Sequence, residues 1–320
     1  MRPSFATLLI SILLAASPDT GWASCTAELD AALRALQAES LEKSEDLVER
    51  MDSSPLCLAF EKEKARGLLS TRLLSEAVRI DPKLRRSEAV ALVRQAANLD
   101  IDWRALELWG RILRTNRDFR NATIAFQTAI ALIAAADRNS STAPRGAWRN
   151  DASPAQRTNL GREADETRHL AASAPAGVLV GPGAGQTRSN DLGGSLSAAV
   201  RGAAGVRVAV PILFEYKSAE LTRIGSEAAE EMLRFIASEK PAQITITGHT
   251  DHVGSAAYNL ELSAQRAATV AAFLRKHGVS AKITTIGKGF SESRVLSEGN
   301  DYDQSQIDQL DRRVEFSFGR

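Results

Sequence analysis

This chain of 320 residues has only two cysteines, four histidines and a formal net charge of +1. Each scarcity excludes something. Forty Lys and Arg against 39 Asp and Glu leave no basic footprint for a nucleic-acid partner, and no long like-charge tail is present. With so little histidine there is no His-x-x-x-His metal pair, no Ser-His-Asp order and no cysteine in a reactive context. Catalysis, a resident metal and a cofactor are therefore not expected. Neighbouring carboxylates such as Glu227, Glu230 and Glu231 read as a solvated helix face. After the first residues no second apolar stretch of spanning length occurs, so no transmembrane segment is expected.

What is present begins with Arg2, an apolar run from Phe5 to Ala16, then Ser17, Pro18 and the small-residue stretch Gly21-Trp22-Ala23. A basic start, about a dozen apolar residues and a cleavable stretch read as a secretory signal peptide over 1–23. Export gives the cysteines meaning, since both Cys25 and Cys57 would lie in the mature chain. In an oxidising compartment an even pair favours a disulfide. Its loop would span 32 residues, worth roughly 3–4 kcal/mol in the chain-entropy account. Acylation of Cys25 behind Ala23-Ser24 and two free thiols are the alternatives.

Residues 24–138 read as helical almost throughout, with Pro55 and Asp81-Pro82 as stops. The clearest unit reads Trp109-Gly110-x-x-Leu113, then Phe119, then Ala122-x-x-x-Phe126-x-x-Ala129. Small residues at 110, 122 and 129 let two antiparallel helices approach closely, and Phe119 and Phe126 fill the gap. Trp103, Trp109 and Phe126 read as core. This segment resembles a tetratricopeptide repeat, with a fainter copy around Ala89, Val93 and Ala96; a generic helical bundle is the other reading. Residues 139–204 read as a linker, with one helix expected over Arg162–Ala172, and 8 glycines fall between Ser173 and Gly205.

From 205 to 320 strand and helix patterns alternate. Val206, Val208 and Val210, then Gln243 to His249, Ile283 to Ile286 and Val314 to Phe318 alternate as strands. Ala229, Met232, Leu233 and Ile236 form one helical stripe, and Ala267, Val270, Ala271 and Leu274 a second. Arg275, Lys276 and His277 suit the dipole at that helix's end, and Gly278 closes it. One sheet with helices packed across a face is expected.

Four blocks then stand in order: Phe214-x-Tyr216-x-Ser218-Ala219-x-Leu221, Gly248-His249-Thr250-Asp251-x-x-Gly254, Tyr258-Asn259-x-x-Leu262-Ser263-x-x-Arg266-Ala267, and Arg312-Arg313-Val314-Glu315. Together they resemble the OmpA-like domain of outer-membrane proteins, peptidoglycan-associated lipoproteins and flagellar stator proteins. The resemblance implies non-covalent binding of peptidoglycan through the diaminopimelate of its stem peptide, without catalysis. It also implies that Asp251 accepts the ligand ammonium and Arg266 clamps its carboxylate, with Asn259 at the binding loop and Arg312 and Arg313 beside it. Two positions depart from the pattern: Asp311 where the family has Asn, expected to weaken binding, and Phe290 where it has Glu.

The chemistry fits on its own terms. A carbon bearing both ammonium and carboxylate needs a carboxylate and a guanidinium a few ångströms apart, because charge-assisted and bidentate pairs are the strong ones. Asp251 and Arg266, 15 residues apart across a strand–loop–helix turn, can share a rim. From spacing alone, a pair that merely holds the loop is the other reading. His249 and His252 read as structural or solvated rather than metal-binding. The expected architecture is α+β and multi-domain: all-α helical hairpins, then an OmpA-like mixed sheet with helices packed on it. The expected role is to tether an envelope protein or complex to the cell wall, in the periplasm near the outer membrane, with a protein partner at the N-terminal helices. An assembly scaffold acting mainly through those helices is the alternative.

Overall fold

The computed structural model describes Cys25 and residues 41–139, 152–173, 207–210 and 212–319. The expected signal peptide and most of the expected linker lie outside them. Six helices come first: α1 (Leu41–Ser53), α2 (Ala59–Ile80), α3 (Ser87–Asn98), α4 (Trp103–Thr115), α5 (Phe119–Asn139) and α6 (Pro154–Ser173). After them come β1 (Arg207–Val210), α7 (Arg223–Glu239), β2 (Gln243–Gly248), α8 (Ala256–Lys276), β3 (Lys282–Gly287), α9 (Gln304–Asp311) and β4 (Val314–Gly319). The α+β architecture is as expected.

In the helical region Asp102 caps α4 by accepting the Arg104 N–H, which meets one of the donors a helix start leaves unpaired. Trp103, Ala122, Phe126 and Ala129 are buried in one core, and Trp109 packs half-buried against it. Phe119 is half-buried, while Phe126 is fully buried against Gly110. Cys25 and Cys57 form a disulfide, with Cα atoms 5.1 Å apart. Among the described residues, Phe119–Ala136 is long and apolar enough to cross a membrane, against the expectation of no such stretch. Its Ala122, Phe126, Ala129 and Ile133 are spent in the helical core.

Helix α6 is longer than the helix expected inside the linker, and it is packed on both sides. Leu160 and Ala164 join the helical core. On its other side Glu166, His169 and Leu170 are buried as well. Burial, with the Arg294 charge beside it, pushes the His169 pKa down to about 3, so the imidazole is neutral at physiological pH.

The sheet runs β1-β4-β2-β3, with β4 antiparallel to both neighbours and β2 parallel to β3 through the α8 crossover. Ile244, Ile246, Val314 and Phe316 face Met232 and Ile236 of α7 and Val270, Ala271 and Leu274 of α8, all buried. Of the acidic residues read as a solvated face of α7, Glu227 and Glu230 are exposed but Glu231 is buried. Helix α9 was not foreseen, although Asp303 and Gln306 make a capping box at its start.

Helix α8 approaches the sheet closely at two strand ends. A Cβ on Gly248 would lie 2.2 Å from the Ser263 carbonyl oxygen, and one on Gly287 would lie 2.7 Å from Ala264 N. Only glycine permits this approach. As a result the first turns of α8 hang over the loop that leaves β2.

The same logic gives a test in the helical region. A Cβ on Gly110 would meet the buried Phe126 ring at 2.7–2.9 Å. Alanine gains about 1 kcal/mol over glycine inside a helix, but overpacking a filled core costs about 1–3 kcal/mol. Gly110→Ala should therefore lower the melting temperature measured by circular dichroism, and Phe126→Leu in the same chain should recover part of the loss.

Candidate ligand-binding site

The site grows from the loop after β2. Asp251 turns back so that Oδ1 accepts the Val253 N–H at 3.0 Å. The Asn259 side chain, buried in the first turn of α8, donates Nδ2 to the Val253 carbonyl at 3.1 Å. Ser255 caps the helix by accepting the Tyr258 N–H. Together these bonds fix the loop's shape and leave the second Asp251 oxygen facing outward. That oxygen accepts Arg312 Nη1 at 2.5 Å.

Arg266 stands alongside. Its Nε donates to the Ser218 carbonyl at 3.0 Å, and the guanidinium lies 5.0 Å over the Phe214 ring. Burial lowers its pKa and the Arg312 charge lowers it further, while Asp251 acts in the opposite direction. Asp251 and Arg312, joined by their own hydrogen bond, are thus the neighbouring charges that act on Arg266. Arg266 has no carboxylate partner among the described residues, so the internal pair with Asp251, the other reading of the spacing, is not formed; Asp251 pairs with Arg312. Asn259 acts on the loop from behind.

Arg313 points elsewhere. It is buried, with Nε on Glu315 Oε1 at 2.7 Å, Nη2 on the Glu292 carbonyl at 3.3 Å and Nη1 on Asp311 Oδ1 at 3.5 Å. The adjacent arginines have separate jobs because neighbouring residues at a strand start face opposite sides. Asp311 is also buried, accepting the Arg294 backbone N–H at 2.8 Å besides Arg313. Its carboxylate is thus turned to partners inside the fold.

His249 lies beneath the rim, buried, with Nε2 3.6 Å from Glu315 Oε2. That separation is longer than a hydrogen bond. His252 stacks on Phe290 with ring centroids 4.9 Å apart, which gives the departing Phe290 a structural role. No group of three or more His, Cys, Asp or Glu able to hold a metal occurs among the described residues. Phe214 and Ser218 carry no task in the sequence pattern; their place beside Arg266 depends on a loop that no local pattern fixes. Tyr216, Val253 and Tyr258 are exposed apolar residues in these same loops.

The arrangement can do one thing chemically. A carboxylate and a guanidinium near one another are the chemistry that matches a group carrying both charges.

Residues 213–306 match the OmpA family. Over 111 residues the chain is 35% identical to outer membrane protein A from Shimwellia blattae, covering 32% of this chain and 46% of that protein. Over 106 residues it is 32% identical to the peptidoglycan-associated lipoprotein from Legionella pneumophila, covering 33% of this chain and 58% of that protein. The chain thus spans about half the length of these relatives. The solved peptidoglycan-associated lipoprotein from Burkholderia pseudomallei is 24% identical, covers 33% of this chain and 87% of its own, and superposes with a TM-score of 0.29.

The ion network under the rim predicts acid sensitivity. Burial works to raise the Glu315 carboxyl, but His249 and Arg313 outweigh it and hold the pKa at about 2, against an ordinary 4.5. A depressed folded-state value means this stabilisation is complete above pH 4.5 and is lost as pH falls through about 2. Urea unfolding across that window should show falling stability in the wild type. Glu315→Gln should be less stable than wild type at pH 6, with a shallower fall in acid.

Proposed function

Proceeding from an OmpA-family domain at the carboxy-terminal end of this chain, we propose that it binds peptidoglycan non-covalently and tethers an envelope protein or complex to the wall. The ligand group is the diaminopimelate of the stem peptide. The observation that carries this reading is the Arg266 guanidinium, held by Phe214 and Ser218 with no carboxylate partner among the described residues, near an Asp251 whose second oxygen is occupied by a cation. The Arg312 guanidinium holds the place that the ligand ammonium takes. On binding, the ammonium pairs with Asp251, and Arg312 turns with Arg266 towards the ligand carboxylate. Arg313 supports from inside through Glu315, and Asn259 keeps the loop in shape. The name of the Legionella relative, a peptidoglycan-associated lipoprotein, supports the same ligand class.

No nucleophile or metal is needed, because nothing is cleaved: the domain holds the wall and lets go. The tetratricopeptide-like hairpins of 41–139 supply the partner-facing half of the tether, in the periplasm.

Since Arg266 is buried, Arg266→Ala would also open a hole over Phe214, so gentler variants are preferable. Asp251→Asn and Arg266→Lys keep the volume but lose the charge or the planar fork. Each should weaken co-sedimentation of the full chain with purified sacculi by about 30-fold or more, the scale of losing one partner of a charged pair. The exposed Glu230→Ala should change little. Free diaminopimelate should compete. Release of soluble fragments over time would overturn the non-enzymatic reading, and full binding by both variants would overturn the clamp.

A further inference from the structure

Between β3 and α9 the chain makes a long excursion, residues 293–303, that contributes no strand or helix to its own domain. Its polar groups turn largely to the helical region. Arg294 Nη2 meets Asp165 Oδ2 of α6 at 2.5 Å. Ser297 donates both N–H and hydroxyl to the Glu166 carboxylate, at 2.7 and 2.6 Å. Tyr302 adds its hydroxyl to the same carboxylate at 2.9 Å. Glu298 N–H donates to Asn159 Oδ1 at 2.6 Å. From α4, Arg114 reaches the Gly299 carbonyl and stacks 5.1 Å over the Tyr302 ring, while its charge is met by buried Glu163. At the edge, Thr115 donates to Asp301 at 3.0 Å and Arg117 pairs with Asp303 at 2.6 Å.

We infer that residues 293–303 form a receptor for α6, so that the helical region and the OmpA-family domain hold together without the chain that joins them. The physical reason is reciprocity. A buried carboxylate is tolerated only when donors replace its water, at a cost of several kcal/mol otherwise. Glu166 has three such donors, and all come from the other unit. The match is two-sided: the interface covers Glu166 on one side and, on the other, Ser297 and the Arg294 side chain, which is 9% exposed with the helix in place. Surface ion pairs alone would not hold two units; here they ring a buried centre. The occupant is specified by chemistry: a helix presenting Asn159, Asp165 and Glu166 on the face that leaves Leu160 and Ala164 to its own core.

The test uses the full chain with a protease site inserted between residues 174 and 206. After folding and cleavage, the two pieces should co-elute from a sizing column at the mass of one intact chain by light scattering. Separate elution would overturn the inference, as would co-elution at twice that mass, which would mean docking between copies. Glu166→Ala with Arg294→Ala should release the pieces, with circular dichroism of the uncleaved variant checking that both units remain folded. Should that variant fail to fold, Ser297→Ala and Tyr302→Phe remove only hydroxyls. Each should weaken the association about tenfold, the scale of one hydrogen bond to a charged group. Pieces that stay together equally well in both hydroxyl variants would place the docking elsewhere and overturn the assignment.

Discussion

Helix α8 lies nearer to the ends of β2 and β3 than any side chain at those positions would allow, and the charged rim depends on that contact. With Gly248 and Gly287 beneath it, the helix brings Asn259 and Arg266 over the loop that carries Asp251. Ser263 stitches the same junction by accepting the Gly289 N–H at 2.8 Å. A bulkier strand end would lift the helix and separate the opposite charges. The sheet core of Ile246, Phe316 and Val270 sets the direction of approach, and the glycines set its depth.

Charge in this chain balances overall but is spent unevenly. Arg313, Glu315 and Asp311 form an inner layer of paired groups, with the buried His249 beside Glu315. Asp251, Arg266 and Arg312 form an outer layer with bonding capacity left over. Groups already paired inside the fold do not compete for an outside partner, and they hold the outer layer in place.

The sequence was informative where period and composition act locally. The stripe Ala229, Met232 and Ile236 and the alternation of Val314 to Phe318 became α7 and β4, because each repeats the spacing of one buried face. Gly110 with Phe126 announced the α4–α5 hairpin. Asp251, Asn259 and Arg266 were located through the order of their motifs. What stayed hidden has one cause, which is that polar residues were used in buried places. Helix α6 puts Glu163, Glu166 and His169 inside, so it has little apolar stripe to give it away, and only its Arg162–Ala172 part was expected, as a helix within a linker. Arg312 and Arg313 look alike in sequence, and only the turn from α9 into β4 tells them apart. Helix α9 is too short for periodicity, and its capping box was the one local sign.

Asp311 also has a mechanical meaning. It accepts the backbone of Arg294, whose side chain grips α6, and it immediately precedes Arg312, which holds Asp251. Under the proposed tethering role, tension would enter from the helical region and leave at the wall. Here the two points of attachment meet within a few residues at one end of the sheet. A pull along that line loads side-chain contacts in shear and bypasses the strands, so the domain can bear strain without unzipping its own core.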